Sequence, residues 1–399
     1  MKQHLKKYNN YKDSGIEWLG EIPEHWILGR VKDLVKIKGG QDQKKVLNHN
    51  GKYPVYGSGG IFGRADKYLY NKTSVLLGRK GTIDKPLYVD IPFWTVDTMY
   101  YTEIFKNTNP RFFYYRCTCI SFDLYQYGSA IPSMTQGDLI NINFAIPPLK
   151  EQTQIANYLD AKTTALDKKI NLLKQKIKHY KAYRKSLINS AVTKGLDKSI
   201  KLKDSGINWI GEIPAHWEIK RVKDIFSISR GRAIGKTELM SNGKYPVYSS
   251  QTKNKGVLGY INTYDFNANL LTWTTDGVNA GTVFIREGKF NCTNICGTLI
   301  PKKHPKLSLD YMAFAVQEST QHNKRIDTNG AKIMSNEMAV IDIVFPPIEE
   351  QIKIANHIKS KTEIISKVVN NIETQINTLK ELRKTLINEV VTGKVKVTA

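Results

Sequence analysis

Cysteine is scarce: four residues in 399, as Cys117-Thr-Cys119 and Cys292-x-x-x-Cys296. That is too few for a disulfide scaffold and suits a reducing cytoplasm. Long apolar runs are missing too, since none approaches the ~18 residues a membrane span needs. The opening MKQHLKKYNNYKDSG carries charge but no apolar signal-peptide stretch. Acidic residues are outnumbered, with 36 Asp and Glu against 60 Lys and Arg, a formal net charge of +24. Such a balance points to a polyanionic partner, most economically nucleic acid. A low apolar content would signal disorder, but 41% is ample for cores. The expectation is a basic, cytoplasmic, membrane-free chain of two or three domains.

Catalytic signatures are absent as well. A DNA amino-methyltransferase needs an [Asp/Asn]-Pro-Pro-aromatic loop, and the nearest match is Asn109-Pro110-Arg111-Phe112, with Arg at the second proline. The glycines of Gly57-Ser58-Gly59-Gly60-Ile61-Phe62-Gly63 miss dinucleotide spacing and read as a turn. Asp276 with Glu287-Gly288-Lys289 imitates a metal-dependent nuclease pattern, but Glu-Gly-Lys lies between apolar runs as a hairpin turn would. The four cysteines lack zinc spacing, and the histidines do not cluster. The expectation is no catalytic residue, no metal site and no cofactor on this chain. The rival reading is a self-sufficient nuclease or methyltransferase using Asp276 and Glu287.

What the chain has is itself, twice. KDSGIEWLGEIPEHW from Lys12 returns as KDSGINWIGEIPAHW from Lys203, and GKYPVY at Gly51 returns at Gly243. PPLKEQTQIANYLDAKT from Pro147 returns as PPIEEQIKIANHIKSKT from Pro346, and RKSLINSAVTKG at Arg184 answers RKTLINEVVTGK at Arg383. Each copy opens with short apolar runs broken by Gly, Asn and Asp, which read as strands of a mixed or mostly-β globule. A double proline then leads into a segment free of glycine and proline, a helix-entry signal. The expected divisions are 1–146, a first recognition head; 147–195, a first helix; 196–345, a second head; and 346–399, a second helix and tail.

Alternating steps of three and four along the first helix pick out Leu159, Thr163, Leu166, Ile170, Leu173, Ile177, Tyr180, Arg184, Leu187 and Ala191. The second gives Ile358, Thr362, Ile365, Val369, Ile372, Ile376, Leu379, Arg383, Leu386 and Val390. Both are heptad seams, and two matched seams in one chain favour antiparallel pairing over a helix packed only on its own globule. At ~1.5 Å per residue, 155–192 makes a rod of about 57 Å. The expected class is α+β: two similar heads joined by two long helices paired as an antiparallel coiled coil, with pseudo-two-fold symmetry from duplication.

The heads are similarly basic, net +7 over 1–149 and +6 over 195–348. The first helix, 150–194, carries +8 and its counterpart 349–393 carries +1. That excess fits either a solvated face or a protein-docking surface. Basic, amide and small side chains on equivalent loops are what phosphate and base-edge contacts use, against the alternative of variable surface loops without a ligand. In the first head the candidates are Lys44, Lys45, Ser58, Arg64, Arg79, Lys80 and Thr82, then Gln126, Ser129 and Ser133. In the second they are Arg230, Arg232, Lys236, Ser250, Gln251 and Lys253, then Thr274, Thr275, Asn279, Asn329 and Lys332.

With these residues assembled, the chain resembles the specificity subunit of type I restriction–modification enzymes along essentially its whole length. WLGEIPEHW and WIGEIPAHW opening each half, and the two Pro-Pro-x-x-Glu-Gln helix entries, carry the likeness. The resemblance implies a non-catalytic reader of double-stranded DNA, each head reading one half of a split, asymmetric site. It further implies two modification subunits around the helices, methylating adenine with S-adenosylmethionine. Restriction subunits would join to cleave with ATP, and those cofactors, with magnesium, would belong to the partners.

Overall fold

A computed structural model describes residues 6–124, 131–328 and 330–397. Two compact units are formed: residues 1–174 with 373–399, and residues 175–372. Helices Leu149–Lys194 and Ile348–Val391 lie within the segments 147–195 and 346–399, and each runs through both units. Each unit is therefore one head, the first half of one helix and the last half of the other.

The heads repeat one topology. In the first, a four-stranded antiparallel sheet has the order Val35–Gly39, Met99–Ile104, Ser74–Gly78, Leu87–Val89. In the second the order is Phe226–Arg230, Cys296–Pro301, Leu270–Thr274, Val283–Arg286. A smaller sheet joins hairpin Tyr53–Gly57/Gly60–Ala65 to Trp94–Thr95 in parallel. Its counterpart joins Tyr245–Tyr248/Val257–Ile261 to Lys289–Cys292, again in parallel, and adds a fourth strand, Phe266–Asn267. The segment Glu287-Gly288 thus links strands of two different sheets rather than closing a hairpin, which corrects the sequence expectation.

The repeated motifs are two sides of one joint. The helix-entry glutamine is buried in both units. Gln152 Oε1 accepts from Asn109 N at 2.8 Å while its Nε2 donates to Pro147 O at 3.0 Å. Gln351 Oε1 accepts from Ser308 N at 2.9 Å and its Nε2 donates to Pro346 O at 2.8 Å. The preceding glutamate reaches back to the opening peptide, Glu151 to His25 at 2.9 Å and Glu350 to His216 at 2.7 Å. Glu350 also accepts from the Trp217 indole at 2.9 Å. In the first unit Glu151 takes the Tyr8 hydroxyl instead, and the buried Trp26 indole N–H has no partner among the described residues. Burial and the Glu151 contact both push the Tyr8 phenol upward. Each long helix ends at a left-handed glycine, Gly195 (φ +75) and Gly393 (φ +77). A Cβ at Gly195 would lie 3.1 Å from the Trp217 ring, and one at Gly393 would lie 2.4 Å from Pro23, so the helix end seats directly on the opening motif.

The seam behaves as a packing face. In the first unit Ile155, Ala156 and Leu159 share a core with Ile387, Val390 and Val391. In the second, Leu187, Ala191 and Val192 share one with Ile354, Ala355 and Ile358. Low numbers on one helix meet high numbers on the other, so the segments run antiparallel. Ile170, Ile365, Val369, Ile372 and Ile376 are buried, while Leu166, Leu173, Ile177, Tyr180, Leu379 and Leu386 are half-buried. The polar positions have local reasons. Thr163 donates to Leu159 O at 2.7 Å and Thr362 to Lys359 O at 3.2 Å. Arg383 pairs with Asp167 on the facing segment at 3.1 Å, whereas Arg184 is exposed.

Candidate nucleic-acid interface

In the first head, three loops meet around Arg79-Lys80-Gly81. Arg79 N donates to Thr98 O at 2.9 Å and Arg79 O accepts from Met134 N at 2.9 Å. Lys80 bridges to Ser133, and Gly81 N donates to Pro132 O at 2.8 Å. Gly81 has φ +90, and a Cβ there would come 2.9 Å from Ser58 Oγ, so the Ser58 hairpin tip closes on this loop. Arg79, Lys80, Asp97, Thr98, Tyr100 and Ser133 help line an open groove of about 430 Å³. The Arg79 and Lys80 side chains are exposed; one Arg79 N–H reaches Asp97 O at 3.2 Å, leaving further donors of the fork for a ligand. Thr82 and Ser58 are half-buried beside them, and Lys44 and Lys45 stand exposed on a separate turn.

The second head repeats the loop backbone with other chemistry. Thr275 N donates to Ile295 O and Thr275 O accepts from Ile333 N at 2.9 Å, while Asp276 bridges to Lys332. Gly277 has φ +85, answering Gly81. Where the first head offers Arg79-Lys80, the second offers Thr275-Asp276.

Several sequence candidates have internal duties instead. Thr274 and Thr275 are buried, their hydroxyls donating to Asn279 O and Ile295 O, which removes them from direct contact with a ligand. Arg64 spends its guanidinium on Gly51 O at 2.6 Å and Lys52 O at 2.9 Å, pinning a turn. Arg232 pairs with Glu238 at 2.8 Å and Asp265 at 3.2 Å, and Gln251 donates to Val257 O. Arg230 is exposed and donates to Ser335 Oγ at 2.9 Å. Lys236, Lys253 and Asn279 are exposed, while Ser250 and Lys332 are half-buried. Gln126, Ser129 and Asn329 lie outside the described residues. Lys255 stands exposed beside Lys253 on the same loop, and the buried Arg286 beneath it escaped the sequence reading.

No three His, Cys, Asp or Glu side chains group for a metal ion among the described residues. All four cysteines are free thiols, and burial raises the Cys117 thiol far above its ordinary range, leaving it unreactive. No helix of the described chain is long and apolar enough to cross a membrane.

Residues 23–179 and 214–380 match the family model described as the type I restriction modification DNA specificity domain. A putative type I specificity subunit of Mycoplasma pneumoniae is 36% identical over 250 residues, covering 62% of this chain and 91% of that one. The type I restriction enzyme MpnII specificity subunit of the same organism is 38% identical over 169 residues, 42% of this chain and 49% of its own. Among solved structures, a chain described under complex assembly and conformational transition of the type I R-M system aligns at a TM-score of 0.72 and 12% identity, over 93% of this chain and 98% of that one. The HsdS subunit from Thermoanaerobacter tengcongensis aligns at 0.52 and 12% identity, over 94% and 98%. These two likenesses concern the fold.

Proposed function

Since the chain belongs to the type I restriction–modification DNA specificity family and holds two copies of its domain, we propose that it is the non-catalytic reading subunit of such a complex, each head reading one half of a bipartite, asymmetric site. One observation carries this reading: two heads whose main sheets share one strand order carry different chemistry on the same loop, exposed Arg79-Lys80 in one and a buried Thr275 followed by exposed Asp276 in the other. Basic heads supply salt-dependent affinity through counterion release. Loop side chains in the grooves add discrimination of about 1 to 3 kcal/mol for each good contact. The paired helix segments set the spacing between half-sites and offer docking faces for two modification subunits, with restriction subunits joining them in the cytoplasm. S-adenosylmethionine, ATP and magnesium belong to those partners in this reading.

Single-molecule sequencing of modified adenines in cells expressing the chain with its modification subunit tests it. The expected result is one split motif with a fixed spacer, lengthened when a heptad is inserted into both helices. A continuous motif, or a spacer indifferent to the insertion, contradicts the reading. Purified chain with DNA, magnesium and S-adenosylmethionine should show no turnover; turnover abolished by Glu287→Ala would establish the enzymatic rival.

A further inference from the structure

The hairpin tip that carries Ser58 in the first head is two residues long, between Gly57 and Gly60. Its counterpart runs through residues 249–256, between strands Tyr245–Tyr248 and Val257–Ile261. The added chain is basic and held in a demanding conformation. Asn254 (φ 48, ψ 42) and Lys255 (φ 50, ψ 29) are left-handed, the two non-glycine residues with positive φ among those described, and Gly256 follows at φ 86. Residues with a Cβ avoid that region, so two in succession need support from their surroundings.

The support is Arg286. It is 4% exposed, and its Nη1 donates to Lys255 O at 2.8 Å while Nε donates to Thr272 Oγ1 at 3.0 Å. The guanidinium lies 3.6 Å from the Tyr248 ring centroid and 4.5 Å from that of Phe284. Its Nη2 packs against Gly256, where a Cβ would come within 2.9 Å, so the turn sits directly on the buried cation. Ser249 N closes the loop onto Gly256 O at 2.9 Å. Strand pairing gives the sister residue: Arg286 stands opposite Leu270 as Val89 stands opposite Ser74. The head with the short tip has a buried valine there; the head with the long basic tip has a buried arginine. A buried cation is costly, so its presence under this turn asks for a reason.

We propose that Arg286 is a positioning residue that never touches the ligand and holds the Lys253–Gly256 turn so that Lys253 and Lys255 grip backbone phosphates of the second half-site. The proposal rests on the heads being DNA readers. Lysine suits the task as a point charge for phosphate, giving affinity without base discrimination. Charge lost from the Arg79-Lys80 position in the second head is thereby supplied from the neighbouring loop.

The test uses the full chain and a random-sequence 30-base-pair duplex, titrated between 50 and 200 mM salt. Lys253→Ala with Lys255→Ala should reduce the slope of log affinity against log salt by about 2. Arg286→Met should reduce it by a similar amount, and the triple variant should fall no further. Trypsin should then cut the Arg286→Met chain after Lys253 and Lys255 while the remaining digestion pattern is unchanged. A wild-type slope in Arg286→Met, or additive losses in the triple variant, overturns the proposal. Should Arg286→Met fail to fold, residues 249–256 are replaced by Ser-Gly together with Arg286→Val, copying the first head. That variant should fold with the lowered slope, and a retained slope overturns the proposal. If the wild-type chain itself shows no salt-dependent binding, the DNA-reading function falls, and the proposal with it. If the lysine pair matters and Arg286→Met binds as wild type, the proposal alone falls.

Discussion

The two heads agree where the chain must hold together and differ where it can meet a ligand. Gln152 and Gln351 make the same pair of backbone bonds, and His25–Glu151 and His216–Glu350 make the same link to the opening peptide. At the loops the agreement ends, with Arg79-Lys80 against Thr275-Asp276 and a two-residue tip against residues 249–256. Duplication has kept the joint that fixes each helix on its head and released the surface. That is the division of labour expected when packing is shared and targets are not.

The largest effects are expected at the joint. Gln152→Ala and Gln351→Ala each strand buried backbone groups and should each cost about 3 kcal/mol in urea denaturation. A large inequality between them would mean the two joints are not equivalent. At the loops, Arg79→Ala with Lys80→Ala should weaken duplex binding by about 10- to 100-fold at low salt, as expected from losing contacts of about 1 to 3 kcal/mol. Thr275→Ala should leave duplex binding unchanged, because its hydroxyl is committed to Ile295 O. Equal losses at both heads in an anisotropy titration would erase the asserted asymmetry.

Smaller effects are expected at other buried side chains. Arg116 is fully buried in the first head, with its guanidinium near Trp18 (5.1 Å) and Phe144 (4.4 Å) and no hydrogen-bond partner among the described residues. Desolvation draws its pKa down to about 10. Arg116→Met should therefore raise stability, by about 1 to 2 kcal/mol in a thermal melt at neutral pH. The direction of the shift adds a check: the unfolded chain keeps this proton to higher pH, so the wild-type deficit should shrink as pH rises through about 10. The two opening tryptophans differ least. Trp217→Phe loses a bond to Glu350 and Trp26→Phe loses none, so the former should cost about 1 kcal/mol more.

The duplication, the helices and their pairing face were legible in the sequence because they depend on repetition and period. Even the polar breaks in the seam sat at matched places, Thr163 with Thr362 and Arg184 with Arg383. The loop chemistry was less legible. Thr274-Thr275 and Gly78-Arg79 occupy matching places, yet nothing local shows that the threonine hydroxyls turn inward to Asn279 O and Ile295 O. Arg64 and Arg232 looked like free cations because their partners, the Gly51 carbonyl and Asp265, lie 13 and 33 residues away. Arg286 ends an apolar strand and reads as an edge residue; only the fold brings the turn at Lys255 over it.

Exchange of residues 12–146 for the corresponding head of another family member, followed by mapping of modified adenines on a randomised plasmid library, decides whether each head reads its half-site alone. Independent reading predicts that one half of the recognised site changes while the other half and the spacer persist. Simultaneous change of both halves, or of neither, would contradict it.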